Sequence, residues 1–279
     1  MLPTFLVVGA EKAGTTTLAA GLAEHPDIFV APAKEVRYFS NHWERGVHWY
    51  EAQFTGHTGE RAIGEASPSY AHPRHPEAPE RIAQTLGRGV KLVYIVRHPV
   101  ERAISHYRHG MRLGWWPADT SFEVAIRTSD SILGCSRYAT CLERFAPFAD
   151  RAQWRIVVLE DLERHPQAFW PDLLGFLEVD PAFRPAGGAR NTAGENTVRP
   201  PWFETLVDRL GRTRALVPAP LRRVASRALS REVPRPALSP ARRAELEREL
   251  LPEVERISAF AGRDLVALWG IGTPSSGQR

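Results

Sequence analysis

The sequence is short of lysine, cysteine and methionine, and it has no long apolar run. Only two cysteines, Cys135 and Cys141, stand in 279 residues. Two are too few for a disulfide framework, and no zinc-type spacing accompanies them. No stretch approaches the roughly 18 apolar residues that cross a bilayer. The apolar start Phe5-Leu6-Val7-Val8 is too short for a signal-peptide core. It has neither a basic segment before it nor a small-residue cleavage site after it. The expectation is a soluble, cytoplasmic chain with no membrane span. Hydrophobic residues make up 43% and charged residues 24%, which excludes a disordered chain, a collagen and a long coiled coil. The length suits one large domain better than two. A single domain over residues 1–272 is expected, with a flexible tail at 273–279.

Lysine is the most telling shortage. Lys12, Lys34 and Lys91 are the only lysines among 36 basic residues, and the rest are arginine. With abundant alanine and proline, this bias reads as a GC-rich genome and says nothing about function. It does single out Lys12 and Lys34, which both fall in the motifs below. The net charge is a modest +4, with arginines interleaved among acids. That favours a small anionic ligand over nucleic acid as partner.

Short apolar runs at 4–9, 28–30, 62–65, 90–96 and 155–159 read as strands. Helical patterns at 14–22, 77–87, 99–111, 138–149, 166–177 and 239–260 separate or follow them. This alternation predicts an α/β fold, a central mainly parallel sheet flanked by helices. Ser239 with Pro240 behind it is a helix start. Residues 34–54 are crowded with aromatics, and 112–120 reads as an exposed loop carrying Trp115 and Trp116. Residues 184–201 read as a loop. The basic segment 202–236 reads as a solvated helical face, or alternatively as a lid or an anion-attracting flank.

Strand 4–9 runs into Gly9-Ala10-Glu11-Lys12-Ala13-Gly14-Thr15-Thr16-Thr17 and then a helix. Small residues let backbone N–H groups turn towards an anion, and a helix N-terminus adds a favourable dipole. The layout is P-loop-like. The spacing Gly9-x4-Gly14 matches a nucleotide triphosphatase, but Thr15 stands where its lysine belongs, and Lys12 sits inside the loop. Such an enzyme also needs a Mg²⁺-holding carboxylate after a strand. Strand 90–96 ends in Arg97. Strand 155–159 ends in Glu160-Asp161, which keeps a kinase reading open.

Lys12-Ala13-Gly14-Thr15-Thr16 resembles the 5′-phosphosulfate loop of sulfotransferases that use 3′-phosphoadenosine 5′-phosphosulfate (PAPS). The run Tyr94-Ile95-Val96-Arg97-His98-Pro99 through Ser105 resembles their 3′-phosphate motif, which implies that Arg97 and Ser105 bind that phosphate. Pro32-Ala33-Lys34-Glu35-Val36-Arg37-Tyr38-Phe39 is similar to a stretch of the Golgi-type heparan sulfate sulfotransferases and their bacterial relatives. There the glutamate is the general base. Gly64-Glu65-Ala66-Ser67-Pro68-Ser69-Tyr70 resembles a further motif of that group. Likeness runs over roughly residues 4–180, the expected donor-binding core, with a helical C-terminal part at about 200–272. Ala66, Arg37 and Ser40 depart from the group at positions that face its acceptor.

The resemblance implies a sulfotransferase with PAPS as donor, PAP as product and no metal. Lys12, Glu35 and His109 are its candidate catalytic residues. Donor contacts fall to Lys12, Ala13, Gly14, Thr15, Thr16, Thr17, Arg97, Ser105, Tyr138, Arg190 and Asn191. Lys34, Arg37, Tyr38 and Trp115 are candidates for the acceptor, a hydroxyl or amine on a small molecule or glycan. For Tyr138, core packing stands beside adenine stacking. For Glu35, an ion pair with Arg37 stands beside catalysis. A small-molecule kinase and a non-catalytic nucleotide-binding module remain the alternatives.

Overall fold

The computed structural model describes residues 1–33, 35–148, 150–186, 197–198 and 231–272. Five strands form one sheet: β1 Phe5–Gly9, β2 Ile28–Val30, β3 Ala62–Ala66, β4 Lys91–Val96 and β5 Trp154–Val158. Their order is β2-β3-β1-β4-β5, and every pairing is parallel. β1 therefore lies in the middle, and its residues are all buried. A strand covered on both faces must be apolar throughout, which is why FLVV and LVYIV show no alternation.

Parallel strands need crossovers, and helices supply them. α1 Thr15–Leu22 follows β1. α2 Tyr38–Asn41 and α3 Gly46–Ala52 lie between β2 and β3, and α4 Ala78–Leu86 leads into β4. α5 Pro99–Arg112, α6 Phe122–Thr128, α7 Asp130–Gly134 and α8 Tyr138–Glu143 separate β4 from β5. α9 Leu159–Arg164 and α10 Pro166–Phe176 come next. The expected helix 138–149 stops at Glu143, and a single 3₁₀ turn follows at Ala146–Phe148. A short antiparallel pair joins β6 Thr197–Val198 to β7 Arg231–Glu232.

The chain closes with α11 Pro240–Ala261 and α12 Leu265–Trp269. The Ser239 hydroxyl accepts the Arg242 N–H at 3.1 Å and starts α11 as its sequence requires. Leu246, Leu250, Val254 and Ile257 recur at helical spacing and are fully buried. Glu253 on the same helix accepts both the backbone N–H and the hydroxyl of Thr140, at 3.0 and 2.7 Å, tying α11 to α8.

Two compact units emerge. The first comprises Met1–Ala103, Asp130–Arg190 and Leu238–Arg279, and contains the sheet. The second comprises Ile104–Ser129 and Asn191–Ala237. Lys34, Arg190, Asn191, most of the basic segment 202–236 and the tail 273–279 lie outside the described residues.

Candidate active site

The loop after β1 is held from below and open above. Ala10 N–H bonds the Ile95 carbonyl at 2.8 Å, anchoring the loop to the neighbouring strand. Lys12 takes φ 66° and Gly14 φ 106°, two left-handed turns that bring the chain round into α1. A side chain at position 14 would also sit 2.6 Å from Leu159 Cδ1, so only glycine fits. No side chain caps α1, and no acidic residue stands in its first turn. The N–H groups of that turn have no partner within the helix, and the dipole there favours an anion.

Arg102, on the first part of α5, braces this loop. It is fully buried. It donates to the Ser136 hydroxyl at 2.6 Å, to the Glu11 carbonyl at 3.2 Å, and to the Ile132 carbonyl. Ser136 in turn donates to the Pro99 carbonyl at 2.8 Å. A planar, always-charged fork suits such a three-way brace. Nothing in the sequence sets Arg102 apart, because it is one arginine among many.

Glu11 stands at the centre of the charged groups. Burial pushes its carboxyl pKa up, against the pull of Arg102 and Lys12. Glu35 and Arg37 also act on it through their charges. Lys12, Glu35 and Arg37 thus share one neighbourhood. His72 faces Glu11 with Nε2 at 3.7 Å, and Cys135 completes a trio of ligand-type atoms within 4.8 Å of one another. Arg74 N–H donates to His72 Nδ1 at 3.0 Å. That bond leaves the ring proton on Nε2, the atom facing Glu11, so the ring is set to donate rather than to ligate a metal.

Glu35 lies after β2, on a segment fastened from β3. Glu65, at the end of β3, is buried and accepts from Tyr50 at 3.0 Å, Tyr70 at 2.5 Å and Ser67 at 2.5 Å. It also takes a backbone hydrogen bond from Val36. Desolvation raises its pKa, and these donors pull it back. Ser67 accepts the Arg37 N–H at 2.8 Å, and Ser40 shares a hydrogen bond with Ser69 at 2.8 Å. The Arg37 guanidinium pairs with Glu35, its Nε at 2.6 Å. The ion pair anticipated from sequence is therefore present. The Arg37 side chain is 49% exposed, so the pair is worth about 0–1 kcal/mol. That is too little to make stability the main reason for Glu35.

Arg97 leaves β4 at the carboxyl edge of the sheet, where α/β folds bind ligands. Its Nε is buried and has no hydrogen-bond partner. Tyr138 donates its hydroxyl to the Arg97 carbonyl at 2.8 Å. The Tyr138 ring is wholly enclosed and meets Tyr94 edge-on at 6.1 Å. It offers no face to adenine and instead fixes the backbone that carries Arg97. Tyr38 needs the same correction. It is buried, stacked on Tyr50 at 4.5 Å and 12°, so packing rather than acceptor contact accounts for it.

The sequence model of the sulfotransferase domain matches residues 2–186. The chain belongs to the sulfotransferase domain family. Among known proteins it is 36% identical over 146 residues to the membrane-associated sulfotransferase kil1 of Dictyostelium discoideum, an alignment covering 49% of this chain and 30% of that protein. It is 39% identical over 105 residues to human heparan sulfate glucosamine 3-O-sulfotransferase 6, covering 38% of this chain and 30% of the relative. The chain thus spans under a third of the length of these curated relatives. A crystal structure of a sulfotransferase from Alicyclobacillus acidocaldarius superposes with a TM-score of 0.69 at 26% identity, over 97% of this chain and 99% of that one. The five-stranded parallel sheet is this family's fold. No helix among the described residues is long and apolar enough to cross a membrane.

The remaining candidates lie in the second unit. Ser105 and His109 sit on the continuation of α5, both half-buried. His109 Nδ1 meets an Arg112 guanidinium nitrogen at 2.8 Å, which leaves the ring proton on Nε2. Trp115 is 50% exposed and packs edge-on against His109 at 5.5 Å. Gly110 makes room for the two tryptophans. A Cβ there would come within 2.2 Å of Trp116 and 2.6 Å of Trp115.

Proposed function

We propose that the protein transfers a sulfuryl group from PAPS to an acceptor hydroxyl. The buried, unpartnered Nε of Arg97 carries the reading of the donor. An orphaned guanidinium nitrogen at the carboxyl edge of a central strand calls for an anion, and the 3′-phosphate is the anion that distinguishes PAPS. The uncapped start of α1 supports a second anion site, for the 5′-phosphosulfate. When bound, the donor supplies the sulfuryl group and a phosphate that leaves with its bonding electrons.

Lys12 neutralises charge growing on the leaving oxygen, and the amides of Gly14 to Thr17 hold the 5′-phosphate. Glu35 takes the acceptor proton on a carboxylate oxygen, exchanging its weak pair with Arg37 for the acceptor hydroxyl. The acceptor oxygen forms its bond to sulfur as the bond from sulfur to phosphate oxygen breaks. The products are a sulfate ester, PAP and the proton on Glu35. Positioning and charge stabilisation carry the rate, as in phosphoryl transfer.

The kinase alternative wants a free carboxylate after a strand. Asp161 is taken by Arg263, one of whose nitrogens lies 3.0 Å away. Glu160 accepts the His98 N–H at 2.8 Å on Oε1, while its Oε2 is buried without a partner and keeps the kinase reading open to test. Isothermal titration separates the readings. PAP should bind without metal, and more tightly than ATP with Mg²⁺. Preference for ATP-Mg²⁺ would overturn the assignment. Release of labelled PAP from PAPS on adding an acceptor would exclude a binding module.

A further inference from the structure

A cleft of about 270 Å³ opens beside Glu35. Its polar end is formed by Thr15, Thr16 and Glu35, and its wall by Ala19, Ala20, Ala23, Val30 and Pro32. Thr16, Ala19, Ala20 and Ala23 follow the i, i+3, i+4, i+7 spacing of one helix face, so a single side of α1 lines the space. The opposite side is the chain leaving β2. We propose that this cleft is the acceptor site and that it takes the apolar part of a small, uncharged alcohol. This rests on Glu35 being the base.

Three observations carry the class of acceptor. The cleft contains the base, so an alcohol whose hydroxyl lies at the Thr16 and Glu35 end has its carbon skeleton directed along the alanine wall. The described lining carries one carboxylate and no cation. Among the described residues that line the cleft, no Arg or Lys meets the negative charge that a sulfated or carboxylated polysaccharide would bring against Glu35. Arg37, the nearest described candidate for that task, is engaged with Glu35 and is not part of the lining. A space of about 270 Å³ lies at the small end of ligand pockets and suits the apolar part of one small alcohol. In the reaction the alcohol oxygen bonds to sulfur, its proton passes to Glu35, and the donor departs as PAP.

The test uses the full chain, labelled PAPS and a series of linear alcohols from 1-butanol to 1-decanol. An N-sulfated heparosan oligosaccharide serves as the anionic competitor. Each CH₂ buried along the wall is worth ~0.8 kcal/mol, so kcat/KM should rise about fourfold per carbon until the cleft is full, then level off. Ala20→Leu places a larger side chain on the exposed part of the wall. It should bring the plateau to shorter alcohols and raise KM for 1-octanol about tenfold, with PAP affinity retained as a check on folding. A flat chain-length series, or preference for the oligosaccharide, overturns the inference while leaving sulfuryl transfer intact. No transfer to any alcohol despite normal PAP binding also overturns it. Failure to bind PAP overturns the donor reading itself and this inference with it.

Discussion

The β1–α1 loop and the segment carrying Glu35 both emerge from the carboxyl edge of the same sheet, and they are built on opposite principles. The loop is a backbone device. Its shape comes from positive φ at Lys12 and Gly14, its anchor is one strand hydrogen bond, and its brace reaches it through the Glu11 carbonyl. The Glu35 segment is a side-chain device. Glu65, Ser67 and Ser69, some thirty residues further on, hold it through a carboxylate and hydroxyls. On the proposed reading the loop meets a phosphate, which is the same in every donor, so backbone groups suffice for it. Acceptors vary, and side chains can be exchanged without refolding the sheet.

The largest effect should follow from breaking the second device at its chemical end. Glu35→Gln keeps size but removes the base, and turnover should fall by about a hundred- to ten-thousand-fold. Its melting temperature should move little, because the pair with Arg37 is half exposed on the arginine side. A stable variant with more than about a tenth of parental turnover would remove Glu35 as the base. His109 would then be the next candidate, acting as base at Nδ1 once Arg112 releases it.

Arg97→Ala breaks the donor side alone. Losing a charge-assisted phosphate contact costs roughly 1.5–3 kcal/mol, or about ten- to a hundred-fold in PAP affinity. Adenosine 5′-phosphosulfate, which lacks the 3′-phosphate, should be almost indifferent to the change. Equal losses for both ligands would move the 3′-phosphate elsewhere.

Ser67→Ala sharpens the comparison from a residue that need not touch either substrate. It strands the Arg37 N–H and takes one donor from Glu65, at a cost of about 1–2 kcal/mol. Turnover should drop several-fold with PAP affinity unchanged, and Ser67→Thr should restore part of it. A loss of PAP affinity instead would show that the two devices are coupled.

The smallest effect is visible only in the pH dependence. Burial drives the His72 pKa down to about 4 from an ordinary 6.5. The folded state then binds fewer protons than the unfolded one, so stability falls as pH drops from about 6.5 towards 4. Between pH 7 and 5 this amounts to on the order of 2 kcal/mol. Glu11 and Glu65, with raised pKa values, act in the opposite sense. The difference between His72→Gln and parent isolates the histidine. The variant's melting temperature should fall less on acidification, and parallel curves would refute the assignment.

What the sequence revealed follows the same division. The loop, β1, β4 and the place of Arg97 at the end of β4 were legible because backbone devices need fixed spacing and buried parallel strands need unbroken apolar runs. Helices α6, α7 and α12 were not, since five to seven residues complete too few turns to show a period. The motif around Glu65 was visible as a likeness, but its task depends on Tyr50, Tyr70 and Ser67 converging in space. Tyr38 was a candidate for the acceptor, and the fold used it with Phe39 and Tyr50 as core. Composition cannot separate those uses, because an aromatic ring serves a core and a ligand by the same contacts.

The central position of β1 has a consequence for how the protein opens. β1 is paired on both sides, whereas β2 and β5 stand at the edges of the sheet. Edge strands exchange their amide hydrogens through local fraying, but a strand in the middle exchanges only when the sheet comes apart. The amides of Leu6, Val7 and Val8 should therefore report the global unfolding free energy. A donor bound on the adjoining loop should slow their exchange by the full factor of 1 + [L]/Kd. Protection at these three amides would then give donor affinity without any acceptor or turnover.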